Sequence, residues 1–221
     1  MTNKVESFGG VFFGAIACFA LAFVLSVILP VLALDKIQEE FRTIEQLAEN
    51  VSDEFKAMAK EHPESFKEAF GEPNKKSYAE ALRLGRDIYI AEGCWHCHSQ
   101  YIRPVAKEVQ RWGKVSNAAE YNNALSRPQL WGTRRVGPDL TREGGVHSND
   151  WHFAHLWEPP ATTPGSVMPR YRWLFKADGR PAKRAFSVVA YLQWLGKERI
   201  YLDALAAKKA AALKKSKGAS K

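Results

Sequence analysis

From Phe8 to Leu34 the chain runs twenty-seven residues without a charged side chain. A helix of that length covers about 40 Å, more than the ~30 Å hydrocarbon core of a bilayer. Backbone N–H and C=O groups find no water in such a core, so a lone spanning segment has to be a helix. A cleaved signal peptide carries a shorter apolar run of ~7–15 residues and a more basic leader than the single Lys4 present here. The expectation is an uncleaved anchor over residues 1–34 in contact with membrane lipid. Cys18, inside the run, reads as a small apolar residue.

The remainder of the 221 residues is enough for one ordinary domain. Cys18, Cys94 and Cys97 are the only cysteines, too few for a disulfide framework or a four-thiolate metal site. Cys94 and Cys97 stand three apart with His98 directly behind, the C-x-x-C-H pattern of c-type haem attachment; a disulfide and a metal site are the competing uses. On the haem reading, Cys94 and Cys97 form thioethers to one covalently bound haem c. His98 becomes the proximal iron ligand and His96 faces solvent. Bacteria attach haem to such motifs outside the cytoplasm. The expected location is therefore the bacterial inner membrane, single-pass, with a cytoplasmic N-terminus and a periplasmic haem domain.

An electron carrier needs a second axial ligand, and methionine in that role raises the reduction potential. Met1 begins the chain and Met58 belongs to a helical stripe. That leaves Met168, in "PGSVMPRYRWLF", as the candidate. The competing readings are a core-filling Met168 and ligation by His147, His152 or His155. His152 and His155 lie one helical turn apart in "NDWHFAHLWEP", where Asp150 or Glu158 could join them on zinc, although packing is the default for such histidines.

Residues 35–76 form an acidic segment with a near-heptad apolar rhythm, Ile37, Phe41, Ile44, Ala48, Val51, Phe55 and Met58, broken at His62-Pro63. Such a stripe suits either a helix lying on its own domain or a stalk docked along a partner subunit. Ser77 and Glu80 have the S-x-x-E spacing of a capping box opening a helix through "YAEALRLGRDIYIAEG". A last helix is expected from about Ala182 to Leu205. "GPDL", Gly137 to Leu140, resembles the class I cytochrome c loop whose proline carbonyl, Pro138 here, accepts the proximal histidine's Nδ1–H. Gly85 and Tyr89 resemble the first-helix pattern that lets the last helix cross closely, with Tyr191 or Trp194 as the opposing aromatic. The fold class is mainly α: a single N-terminal transmembrane helix, a helical stalk, and a class I cytochrome c domain with a long insertion over residues 77–205. Residues 206–221 form a basic Ala/Lys tail, read as frayed. The net charge of +8 does not point to nucleic acid in a domain outside the cytoplasm.

"GRDIYIAEGCWHCHSQYIRP", "WGTRRVGPDLTREGG", "SNDWHFAHLWEP" and "SVMPRYRWLF" resemble the mono-haem subunit (subunit II) of cbb3-type cytochrome c oxidases. The likeness covers roughly residues 84–176 and the N-terminal anchor. It implies a polytopic haem–copper catalytic subunit as partner, other c-type cytochromes as electron donors or acceptors, and no catalysis by this chain alone. It also implies that Arg103, Trp131, Arg134 and Arg135 lie near the haem or its propionates. Tyr101 stands where the family motif carries methionine, and Trp112–Arg127 matches poorly. A cytochrome c subunit of a nitric oxide reductase or of a bc-type quinol-oxidising complex is the alternative employer. A haem enzyme or a gas sensor would need an open sixth site.

Overall fold

The computed structural model describes the backbone of residues 3–37 and 41–219 and the side chains of 8–33 and 41–214. Ile37 of the apolar stripe and the last lysines of the tail lie outside the described side chains. The chain divides into two compact units, Met1–Glu40 and Phe41–Lys221.

The first unit is helix α1 (Asn3–Phe23), a π-helical turn (Val24–Ile28) and α2 (Leu29–Ile37). The wide turn has a local cause. Pro30 has no N–H and its ring crowds the preceding turn, so the helix relaxes just before it. Leu29 N–H accordingly bonds five residues back to Val24 O, and Ser26 Oγ donates to Ala22 O at 2.6 Å. The stretch Phe8–Ala33 is long and apolar enough to cross a membrane.

The second unit is helical, and its described residues hold no strand beyond single-residue bridges at Arg42–Asn123 and Phe175–Pro181. It begins with α3 (Ile44–Leu47), α4 (Asp53–Glu61) and α5 (Pro63–Phe70). The break expected at His62-Pro63 falls between α4 and α5, and a second, unexpected one separates α3 from α4. Thr43 caps α3 through a reciprocal bond with Gln46, Ser52 caps α4, and Pro63 opens α5 at the position where a missing N–H costs nothing. Ile44, Phe55 and Met58 enter the unit's own core. Phe55 is 0 % exposed and its ring lies 5.1 Å from Phe66 and 5.0 Å from Tyr78. From Ile44 to Met58 the stripe thus lies on the chain's own core, the first of the two readings above, while Phe41 is 43 % exposed.

Helix α6 (Lys75–Ala91) starts two residues before Ser77. Asn74 is its cap, accepting from Lys76 N and Ser77 N, while Ser77 Oγ accepts from Asn74 N at 2.9 Å. Ser77, the third residue of the helix, therefore closes the box rather than opening it, because asparagine supplies the capping oxygen earlier in the chain. After α7 (Cys94–Cys97), α8 (Glu108–Trp112), α9 (Asn149–Trp157) and α10 (Pro159–Thr162) comes α11 (Lys183–Trp194). Its residues Ala185–Trp194 are all buried. α11 crosses α6 at Gly85, where a Cβ would sit 1.9 Å from Ser187 O. Tyr89 meets Tyr191 edge-on at 5.5 Å, and Trp194 stacks behind Tyr191.

The expected last helix is two helices. The chain turns at Gly196, φ 92°, and α12 (Lys197–Ala219) follows. Its first turns are tied down: Lys197 to Glu54, Arg199 to the buried Glu120, and Arg42 to Glu198 at 2.5 Å. The Ala/Lys tail read as frayed is helical through Ala219, in keeping with alanine's high helix propensity.

Candidate functional site

α6 delivers the chain to the site. Gly93, in the left-handed region at φ 69°, reverses it into the single turn of α7. A three-residue spacing on one helical turn sets Cys94 and Cys97 on the same side. His98 leaves that turn in extended conformation, its N–H bonded to Cys94 O at 2.9 Å. The segment bearing Gly137 and Pro138 runs alongside, bonded through Gly137 N to Cys97 O at 3.1 Å and Leu140 N to Ser99 O at 2.8 Å. His98 Nδ1 lies 2.9 Å from Pro138 O. A carbonyl can only accept, so Nδ1 carries the proton and Nε2 keeps its lone pair. Burial lowers the His98 pKa, against the opposing pull of the Pro138 carbonyl, which keeps the ring neutral. Gly137 is required: a Cβ there would lie 2.2 Å from His98 Cε1.

Cys94, Cys97, His98, Pro138 and Met168 line one cavity of about 620 Å³, well within the ~300–1,000 Å³ of small-molecule and cofactor sites. Met168 comes from the loop between α10 and the 3₁₀ turn Arg172–Leu174 and also packs against the core. Met58, 0 % exposed in the core, is not on this wall. His147, His152 and His155 line the cavity too. Trp151 is stacked between His147, at 3.8 Å, and His155, at 4.6 Å. Their Nδ1 atoms bond to Glu143 at 2.7 Å and Thr162 at 2.5 Å. Among the described residues, the potential metal-ligand cluster is Glu61, His62 and Asp150, which leaves out His152 and His155.

No curated protein matches the chain. The family model described as "Cytochrome C oxidase, mono-heme subunit/FixO" matches residues 67–184, more than half of it. The chain belongs to this family.

A mono-haem subunit holds one haem, and the residues on this cavity fit that group. Both cysteines are free thiols. Burial, reinforced by the charge of Glu92, pushes the Cys94 thiol up to about 12. An imidazole with a free Nε2 and a thioether both line the cavity, and both are ligand types that haem iron accepts.

None of the four residues implied near the haem, Arg103, Trp131, Arg134 and Arg135, lines the main cavity itself. Trp131 is 52 % exposed and packs on Tyr101 and Tyr121. Arg134 is exposed. Arg103 and Arg135 line a separate cleft of about 380 Å³ that shares Val136, Gly137 and Pro138 with the main cavity. Both converge on Glu108, a residue the sequence reading passed over. Glu108 is 2 % exposed and accepts from Arg103 N and Nε, each at 2.7 Å, and from both terminal nitrogens of Arg135. Burial alone would raise its pKa, but the Arg135 and Arg103 bonds outweigh that and hold the carboxyl at about 2. The network continues toward the site. Arg135 Nε donates to Ser99 Oγ, which donates to Asp139 Oδ2, both at 2.6 Å. Ser99 follows His98 and Asp139 follows Pro138, so this chain locks the two segments one residue beyond the His98–Pro138 bond.

Proposed function

We propose that this member of the mono-haem oxidase subunit family is a membrane-anchored c-type cytochrome that relays electrons to the haem–copper catalytic subunit of a cbb3-type terminal oxidase. Cys94 and Cys97 hold the haem through thioethers, with His98 Nε2 and Met168 Sδ as axial ligands. The observation that carries this is the convergence of all four side chains, up to 74 residues apart in sequence, on one cavity. When bound, haem supplies a one-electron couple at an iron whose sulfur ligand favours the reduced state.

The chain's own residues keep that iron in one environment. The Pro138 carbonyl fixes the His98 ring and raises its basicity. Gly137 lets the ring lie against backbone. Tyr89, Leu140 and Leu192 close the cavity from the core side. An iron held by both His98 and Met168 would have no open position for oxygen, as a carrier requires. The helix containing Phe8–Ala33 anchors it in the bacterial inner membrane, with the N-terminus cytoplasmic and the haem domain periplasmic. The family match favours the oxidase over a nitric oxide reductase or a quinol-oxidising complex.

Gentle detergent purification followed by peptide identification and metal analysis tests the assignment. Co-purification with a polytopic subunit, copper and a second haem is expected. Non-haem iron in place of copper, or an iron–sulfur protein with a cytochrome b, would reassign the partner complex.

A further inference from the structure

Met168 sits in a loop that has little regular structure to hold it. Its N–H bonds only as far as Ser166 Oγ, at 3.3 Å, and prolines flank the segment at 164 and 169. The downstream arm of the loop is fastened to the end of α9 instead. Tyr171 N–H bonds to Leu156 O at 2.8 Å. Beside it, one carboxylate receives two arginines: Arg170 Nε donates to Glu158 Oε1 and Oε2 at 2.7 and 2.6 Å, and Arg172 Nη2 donates to Oε2 at 2.6 Å. Arg172 also lies over the Trp157 ring at 5.2 Å.

We infer that Glu158 is a positioning residue for the Met168 ligand. This rests on Met168 being the axial ligand proposed above. Arg170 and Arg172 flank Tyr171, where the chain enters the 3₁₀ turn Arg172–Leu174, and both reach Glu158. Glu158 is held in turn at the junction of α9 and α10, directly before Pro159. Pro169, with its fixed φ, is the one residue between Met168 and Arg170, so a shift at Arg170 is transmitted to the ligand. An isolated exposed ion pair contributes little, but one carboxylate shared by two arginines is a charge-assisted network. The pairs retain solvent contact, with side-chain exposures of 27 % for Glu158 and 57 % and 53 % for its partners. Removing the charge leaves both arginines hydrated rather than buried, so the fold survives the change. The same exposure makes the clamp sensitive to salt.

The test uses the full chain with its haem, following the far-red sulfur-to-iron absorption band against temperature, with far-UV circular dichroism as the measure of global unfolding. Glu158→Gln should raise the fraction of Met-free haem below the unfolding transition by about tenfold, the difference between charge-assisted and neutral hydrogen bonds. Its unfolding midpoint should stay within a few degrees of the parent's. Glu158→Asp, which keeps the charge, should recover part of the band. Salt at ~1 M should weaken the parent's band toward that of Glu158→Gln and leave the variant unchanged. A band equally persistent in parent and Glu158→Gln, or an equal salt response in both, overturns the clamp while leaving Met168 as ligand. A parent without the band, or a band that survives Met168→Ala, removes the ligand and the clamp together.

Discussion

Adding one methyl group at Gly85 should be among the most damaging small changes available to this fold. A Cβ there falls 1.9 Å from Ser187 O and 2.8 Å from Tyr191 Cβ. Carbon contacts are comfortable only from about 3.5 Å, so α11 would have to retreat by about 1.5 Å. Alanine returns about 1 kcal/mol through helix propensity. Against that stand overpacking, typically ~1–3 kcal/mol, and a widened gap along the rest of the crossing. A gap of ~0.5–1 Å already forfeits a quarter to a half of each contact energy. The clash is with backbone, which cannot swing aside, and α11 is buried from Ala185 to Trp194. A net loss of about 3–5 kcal/mol is expected for Gly85→Ala. For a domain of this size that lowers the melting temperature by roughly 10 °C. Thermal unfolding of the haem-loaded chain, followed by far-UV circular dichroism, measures it. Tyr89, Val188 and Leu192 sit on both the crossing and the cavity wall, so haem absorbance should shift as well. A variant that melts at or above the parent would refute the close crossing.

Two further perturbations probe parts of the fold away from this crossing. Phe55→Ala should cost about 3–5 kcal/mol, because a fully buried ring is lost from a cluster with Phe66 and Tyr78; an unchanged denaturation curve would make residues 41–70 an appendage after all. Glu108→Gln should cost roughly 3 kcal/mol at neutral pH, since the carboxyl is held at about 2 against an ordinary 4.5. A lowered native pKa means that the stabilisation is complete above 4.5 and disappears as pH falls from there through 2. Urea titrations at pH 7 and near pH 2 should therefore show the parent–variant gap closing, and a gap independent of pH would contradict the buried network.

The sequence made some parts of this molecule legible and hid others for physical reasons. Cys94, Cys97 and His98 are adjacent, so the motif that brings them together is local. Met168 could be singled out by elimination among three methionines, and Gly137-Pro138 by its similarity to a known loop, although both reach the cavity only through tertiary folding. Gly85 was readable because close crossing demands a missing side chain, whereas choosing Tyr191 over Trp194 as its opposing aromatic needed the register of α11. The stripe from Phe41 to Met58 was visible as a period, but a period does not say what covers it. Thr43, Ser52 and Pro63, each a helix-start signal, were the clue to three short helices on the chain's own core. Glu108 was invisible because its partners Arg103 and Arg135 come from different loops. Charged residues in a turn-rich stretch normally read as solvent-facing, and only the fold shows the carboxylate buried beneath two guanidinium groups.

The intact mass of the purified chain after acid–acetone extraction tests the central claim most directly. Two thioethers at Cys94 and Cys97 predict the polypeptide plus one haem, with haem-bearing peptides spanning Glu92–Ser99 after digestion. Extraction of all the haem, leaving a polypeptide of unmodified mass, would contradict the assignment of this cavity to covalently held haem c.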